Sequence, residues 1–216
     1  MVALAGGRHR PAITVSTALD VCERVVLFLL FLHLAYINYG PIMAGGHWFN
    51  AMIVFSEFLC VGLLMVRRRS EDISTRPADW LLAFFATAAP LLARPAVGTT
   101  PLVPAWVGFV LLMGGTLTQL SAKLMLRRSF GLVAANRGVK IEGPYRVVRH
   151  PMYLGYTMVH VGFLLMAPDL LNFSIYTLGF TGQVFRLLAE ERLLMADPAY
   201  AAFANRVRYR LVPGVF

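Results

Sequence analysis

The sequence predicts an all-α integral membrane protein, a bundle of about five or six transmembrane helices with both termini in the cytoplasm. Of its 216 residues, 58% are hydrophobic and only 14% are charged, and the mean hydropathy is +0.65. Soluble domains carry about 25% charged residues, so the usual water-facing surface is missing. The apolar residues form long runs, and the basic residues lie between these runs. These observations together predict the fold class.

Six apolar segments approach the ~20 residues that are needed to cross about 30 Å of hydrocarbon. They are approximately Cys22–Tyr39, Trp48–Val66, Trp80–Ala93, Leu102–Leu120, Tyr153–Ala167 and Leu170–Leu188. We expect the first to end at Gly40-Pro41, and the short third segment to be tilted, kinked or extended because it contains Pro90. In the fourth, Gly114 and Gly115 permit close helix contact. Only Pro168-Asp169 separates the last two, which predicts a tight helical hairpin.

The basic residues predict the orientation of these helices. With six spans, 19 of the 20 Lys and Arg residues lie on one side, and Arg94 alone lies on the other. Cytoplasmic loops are enriched in Lys and Arg, so we expect this side to be cytoplasmic. We also expect a multi-pass protein of the bacterial inner membrane whose active site faces the cytoplasm. The net charge of +9 is spread over loops beside spans and indicates contact with membrane lipids, not nucleic-acid binding. Met1–Thr17 lacks a signal-peptide cleavage pattern, so we expect the whole chain to be mature.

Few polar side chains lie within the spans themselves. Glu57, near the middle of the second span, is costly there, so it is either functional or makes an interhelical hydrogen bond while protonated. Cys22 and Cys60 have no metal-ligand spacing, and no metal site is predicted.

Polar residues are concentrated in the C-terminal part of the chain. A basic stretch closes with GPYRVVRHPMYLG, residues 143–155. Pro151 suits the first turn of a helix, where its missing N–H costs nothing. His150 is therefore expected at the start of the fifth span, next to free backbone N–H groups that favour an anion. Tyr153 and Gly155 follow, and Gly155 leaves room for a ligand or a second backbone.

A second polar segment, RLLAEER, follows the sixth span and begins at Arg186. Arg186 and Glu190 are four residues apart and share a helix face. The predicted hairpin returns this face to the membrane surface where His150 lies, so a His, an Arg and the pair Glu190-Glu191 converge there. Interfacial salt bridges among these charged residues would explain the same pattern, and the spacing alone leaves both interpretations open.

These motifs, together with the ending RVRYRLVPGVF, resemble the isoprenylcysteine carboxyl methyltransferase family and, more loosely, the membrane phospholipid N-methyltransferases. The resemblance covers about Arg127–Phe216, including Ser129-Phe130-Gly131. It implies a helical-bundle enzyme that binds S-adenosylmethionine on the cytoplasmic side and methylates a lipid-like or prenylated amphiphile entering from the bilayer. Residues 127–216 would form the cofactor-binding region, and the transmembrane helices of residues 1–126 would help to form the acceptor pocket.

Position by position, the resemblance also implies the site residues. Those at the cofactor would be Val139, Lys140, Tyr145, His150, Pro151, Met152, Tyr153 and Glu190. Arg186 would be catalytic and face the acceptor. Glu191 would be catalytic too, either helping to hold the cofactor's amino group or, like His150, taking a proton from an amine acceptor; a carboxylate acceptor needs no base. Relatives often have His near the position of Arg137, so Arg137 and Gly138 are left out of the predicted site.

Two other classes of protein remain as alternatives. Membrane sterol reductases, which use a nicotinamide cofactor, share RHPxYxG-like and YRLVPG-like sequences, but the GPYR lead-in and the adjacent glutamates favour the methyltransferase. A non-catalytic scaffold or small transporter is the other alternative. It predicts that the charged groups pair with each other and leave no cavity at the cytoplasmic ends of the last two spans.

Overall fold

The computed structural model describes residues 15–43, 48–68, 73–93 and 99–216, and regular structure within these ranges is helical. The α-helices of these ranges are α1 (Val15–Met43), α2 (Trp48–Val66), α3 (Pro77–Ala88), α4 (Ala105–Leu126), α5 (Pro151–Met166), α6 (Leu170–Leu194) and α7 (Pro198–Arg206). The predicted all-α fold is therefore confirmed for the described part of the chain. Residues 1–14, Arg94 and the side chain of Glu57 lie outside that part.

α1, α4 and α6 continue beyond the C-terminal ends of the apolar segments from which they were predicted. The expected end of α1 at Gly40-Pro41 is wrong, since the helix continues to Met43. A proline removes one backbone hydrogen bond but does not end every helix. At Pro90 the chain changes from α3 into a 3-10 turn over Ala89–Leu92. α6 passes the predicted end and reaches Leu194, so both glutamates of the polar motif are helical.

α4 and α5 form the closest helix pair among the described elements. A Cβ atom added at Gly155 would lie 2.6 Å from both the Gln119 amide nitrogen and the Gly115 carbonyl oxygen. The two backbones therefore touch, which confirms that a small residue in the fourth span permits close contact and that Gly155 makes room for a second backbone. α1 packs on α2, and α3 packs on α6.

The predicted hairpin of α5 and α6 is present. Its turn covers residues 167–169, and the Asp169 carboxylate accepts the Asn172 N–H at 3.1 Å, which caps the start of α6. The return brings the last turns of α6 to the start of α5, where the Tyr153 hydroxyl contacts Glu190.

Residues 129–137 of the connection between α4 and α5 are buried or half-buried instead of lying on the surface. Phe130 and residues 132–135 are buried, and the backbone N–H groups of Leu132 and Val133 donate to the Glu23 carboxylate at 2.6 and 2.9 Å. A buried loop must satisfy its polar backbone groups inside the protein. A carboxylate of α1 thus determines the path of this loop.

One helix in the described ranges, Ala105–Ser129, is both long and apolar enough to cross a membrane, and the apolar helix Pro151–Met166 is shorter than such a span. Large apolar side chains face outward on several helices: Leu29 of α1, Leu81 of α3 and Trp106 of α4 are each more than half exposed. The number of membrane spans stays a prediction.

Candidate active site

A cleft lies where the connection between α4 and α5, the start of α5, the end of α6 and α7 meet. Its cavity volume is about 70 Å³. Seven residues that were predicted to contact a cofactor line it: Val139, Lys140, Tyr145, His150, Met152, Tyr153 and Glu190. Pro151, which was also predicted, does not line the cleft; it is buried at the first position of α5, as its conformational preference requires.

Two local structures place Tyr145 and His150 in the wall. A short 3-10 helix over Gly143–Arg146 buries the Tyr145 ring. His150 is the residue that precedes α5, and its backbone N–H donates to the Arg210 carbonyl at 2.9 Å. The C-terminal tail therefore accepts a hydrogen bond from one of the backbone N–H groups that, from the sequence, were expected to favour an anion.

Glu190 borders the cleft from the last turns of α6. Its carboxylate accepts a hydrogen bond from the Tyr153 hydroxyl at 3.0 Å, and the Tyr153 ring meets the His150 ring edge-on at 5.6 Å between centroids. A carboxylate that one phenol holds in place beside an open space is a suitable partner for a cationic ligand group.

Glu191 has different surroundings, although it is the next residue. Its carboxylate contacts the Arg210 Nε at 2.5 Å, the Arg149 Nε at 3.1 Å and the His150 Nε2 at 3.3 Å, and it accepts from the Tyr200 hydroxyl at 3.4 Å. The sequence-based expectation placed Glu191 among the reacting groups. In the structure it does not line the cleft and instead ties the C-terminal tail to α6 and to the start of α5.

The charge states of two groups follow from these contacts. Burial alone would raise the pKa of Glu191, but hydrogen bonds from His150 and Arg210 and the charge of Arg149 outweigh it and lower the pKa from 4.5 to about 2. Burial raises the pKa of Tyr145, and the negative charge of Glu190 raises it further. At neutral pH Glu191 is thus an ion-paired anion, and Tyr145 is a neutral hydroxyl.

Arg186 is buried next to the cleft without lining it. Its Nε donates to the Leu132 carbonyl at 3.1 Å, its Nη1 lies 3.5 Å from the Thr87 hydroxyl, and its guanidinium lies 5.2 Å from the centroid of the Tyr153 ring. It therefore meets the cleft through Tyr153, on the side of α3.

Several lining residues were not predicted from the sequence, among them Ser129, Arg137, Gly138, Arg149, Tyr200 and Phe203. Gly138 has φ +94°, a conformation that side-chain-bearing residues rarely adopt, so this turn requires glycine. Tyr200 and Phe203 belong to α7, which only the tertiary fold brings to the cleft. The aromatic residues between RLLAEER and the ending RVRYRLVPGVF are the one signal in the sequence that could have found them.

The charged groups at this end of the molecule thus divide into two sets. Glu191 pairs with arginines, as the salt-bridge interpretation predicts. Glu190, Lys140 and Arg137 instead border an open space. The scaffold alternative expected no cavity at the ends of the last two predicted spans, and a cleft is present there.

Comparison with known proteins bears on the same part of the chain. Residues 103–200 match the family model described as phospholipid methyltransferase, PEMT. No curated protein matches the chain. The matched segment contains α4, α5, α6 and the residues that surround Glu190. The resemblance drawn from the sequence is therefore confirmed: residues 103–200, which build most of the cleft, match the phospholipid methyltransferase family, which includes membrane methyltransferases of the isoprenylcysteine carboxyl type.

Proposed function

We propose that this protein is a multi-pass membrane methyltransferase that transfers a methyl group from S-adenosylmethionine to a lipid-like or prenylated amphiphile at the cytoplasmic face of the membrane. The observation that carries the proposal is the cleft. Tyr145, His150, Tyr153 and Glu190 come from two segments of the matched region and line one space. The description of the matched family, phospholipid methyltransferase, favours a phospholipid-like acceptor.

The residues of the cleft fit a cofactor with an amino-acid end and an aromatic base. Glu190, held by the Tyr153 hydroxyl, would accept from the cofactor's ammonium group. Tyr145, Val139 and Met152 offer aromatic and apolar surface for the base and the sulfonium. When bound, S-adenosylmethionine would supply an activated methyl group.

The contribution of the protein to such a reaction is mainly to orient the reacting groups and to exclude water. A carboxylate or phosphate acceptor needs no proton transfer. To pair with Arg186, which does not line the cleft, it would have to reach the guanidinium past the Tyr153 ring. An amine acceptor must lose a proton. His150 is the candidate base, because the Glu191 carboxylate is already bound to Arg149 and Arg210.

The membrane setting of the proposal rests on the apolar exterior and on the distribution of basic residues. A water-soluble protein rarely exposes large contiguous apolar surface, and lipid tails would cover the outward side chains of α1, α3 and α4. By the positive-inside rule the cleft would face the cytoplasm, and in a bacterial cell the protein would lie in the inner membrane. In this scheme residues 127–216 bind the cofactor, and the helices of residues 1–126 shape the entry of the acceptor.

Ligand binding to the purified protein tests the proposal. S-adenosylhomocysteine, the demethylated product, should bind the wild type, and Glu190→Ala and His150→Ala should each weaken binding roughly tenfold to a hundredfold, the cost of one hydrogen bond to a charged group. Glu142→Ala, which removes an exposed carboxylate, is the matched control and should bind normally. Unchanged affinity in both well-folded cleft variants would refute the site.

Binding measurements on the same purified protein distinguish the methyltransferase hypothesis from the reductase hypothesis. Tight binding of NADPH with no binding of S-adenosylhomocysteine would favour the nicotinamide enzyme. Lipid extracts incubated with labelled S-adenosylmethionine and then separated by class would identify the acceptor.

A further inference from the structure

A buried charge cluster connects the N-terminal helices to the cleft. Its members are Asp20, Glu23 and Arg24 of α1, Arg67 after α2, and Arg137 of the α4–α5 connection. The Arg67 Nη2 lies 2.7 Å from Asp20 and 2.8 Å from Glu23, and the Arg137 Nη2 lies 3.3 Å from Glu23. Among these residues, Arg137 is the one that lines the cleft.

Within the described residues, the cluster contains three guanidinium groups and two carboxylates. The Nε of Arg137 and the Nε and Nη1 of Arg67 have no hydrogen-bond partner in that part of the structure. Arg137 is only 7% exposed, so its guanidinium is largely removed from bulk water. A buried cation without a full set of partners is costly, so an anionic group in the cleft that Arg137 lines would stabilise its guanidinium.

The guanidinium of Arg137 is held in a defined position. Its Nη1 donates to the Val133 carbonyl at 3.4 Å, and its Nη2 contacts Glu23. It also lies against Gly131, where an added Cβ would come within 2.3 Å of the Nη1. The terminal nitrogens are thus committed to the protein, while the Nε is not.

We propose that Arg137, positioned by Glu23, binds the anionic group of a zwitterionic ligand whose cationic group lies at Glu190. Both side chains line the same cleft, so a ligand with an ammonium and an anion a few bonds apart would satisfy both. The carboxylate at the amino-acid end of the methyl donor and the phosphate of a phospholipid head group share this chemistry. The inference rests on the proposed function and adds that α1, which lies outside the matched segment, contributes to ligand affinity.

Two titrations distinguish the sources of the anion. In the first, wild type, Arg137→Gln and the control Arg146→Gln, which removes an exposed arginine, are titrated with S-adenosylhomocysteine and with its decarboxylated analogue. If Arg137 binds the carboxylate, the wild type prefers the carboxylated ligand, and Arg137→Gln loses that preference by roughly tenfold or more. The control keeps the preference.

In the second titration, the same proteins bind phosphatidylethanolamine presented in mixed micelles. A selective loss of lipid affinity in Arg137→Gln, with S-adenosylhomocysteine unaffected, would assign the anion to the head group. Unchanged affinity for both ligands in a folded Arg137→Gln protein would overturn the inference. Failure of the wild type to bind S-adenosylhomocysteine would instead contradict the proposed function, and the lipid arm would still decide the role of Arg137.

The positioning role of Glu23 has its own test. Glu23→Gln keeps the shape and one acceptor for the Leu132 and Val133 N–H groups, but it loses the charge that holds Arg137. In the wild-type background, Glu23→Gln should lower the affinity for the ligand whose binding Arg137→Gln weakens. In the Arg137→Gln background it should have little further effect, because the two residues act through one contact. Equal losses in both backgrounds would show that Glu23 acts on the fold alone. Gly131→Ala, which displaces the guanidinium, should repeat the effect of Arg137→Gln on the same ligand.

Discussion

Glu190 and Glu191 are neighbours with different surroundings. Successive residues of an α-helix point about 100° apart, so Glu190 faces the cleft and meets the Tyr153 hydroxyl, while Glu191 faces Arg149 and Arg210. The first carboxylate borders open space, and the second is enclosed by cations. The adjacent glutamates of the motif therefore divide into a candidate ligand-binding residue and an anchor of the C-terminal tail.

The Glu191 anchor predicts a loss of stability in acid. Its pKa is lowered from 4.5 to about 2, so its ionised form stabilises the fold fully above about pH 4.5, and this stabilisation is lost as the pH falls towards 2. Thermal unfolding in one detergent at several pH values should show the wild type losing stability over this window. Glu191→Gln should be less stable than the wild type at neutral pH, and its stability should depend less on pH between about 4.5 and 2. Parallel pH curves for the two proteins would contradict the anchor.

Arg186 allows a second prediction at the residue scale. The side chain is buried and bound to the Leu132 carbonyl, so it does not extend to lipid head groups. We expect Arg186→Lys to fold and to bind S-adenosylhomocysteine, but to lose most methyl transfer, at least about tenfold, because an ammonium cannot replace a planar two-point contact. Turnover and ligand affinity are measured together. The control is Arg192→Lys, because Arg192 is half-exposed and pairs with Asp79. Near-normal turnover in Arg186→Lys would make its role structural.

At the scale of elements, the touching backbones of α4 and α5 hold the cleft together. α5 begins in the cleft wall and packs on α4 through Gly155 and Gly115. Van der Waals packing of small residues is a main source of helix association when the surroundings are lipid. The position of His150 and Tyr153 therefore depends on a contact in which neither takes part.

Gly155→Ala tests this dependence. The added methyl group would lie 2.6 Å from two backbone atoms of α4, so the helices must move apart, and we expect about 1–3 kcal/mol of destabilisation together with weaker ligand binding. Gly62→Ala in α2, where an added Cβ has no neighbour within 4 Å among the described residues, should be neutral or stabilising. The midpoints of thermal unfolding report both effects. Equal stability of the two variants would contradict a tight α4–α5 contact.

At the scale of the whole molecule, the proposed orientation makes a further prediction. Because 19 of the 20 basic residues lie on one side of the six-span arrangement, reporter fusions before Met1 and after Phe216 should both report the cytoplasm. A reporter inserted in the turn at residues 167–169, between α5 and α6, should report the opposite side. A fusion after Phe216 that reports the outside would refute the six-span topology.

The whole molecule also explains why the N-terminal helices matter to a site that the matched segment contains. The buried connection between α4 and α5 depends on Glu23 of α1 for two backbone hydrogen bonds, and the same carboxylate holds Arg137. A truncated chain beginning at α4 would lose these partners. α1 is therefore part of the structural support of the cleft.

The sequence by itself determined the helical class and the α5–α6 hairpin. Seven of the eight residues that it predicted to contact a cofactor, His150, Tyr153 and Glu190 among them, line the cleft. These depend on hydrophobic run length, on helical spacing and on a contiguous motif, which are local properties of the chain. Only the tertiary structure decided that Glu191 anchors the tail, that α7 closes the cleft and that Arg137 is held by Glu23. Glu23 and Arg137 are 114 residues apart, and no local pattern specifies which charges meet across such a distance; burial and the need to pair every buried charge decide it.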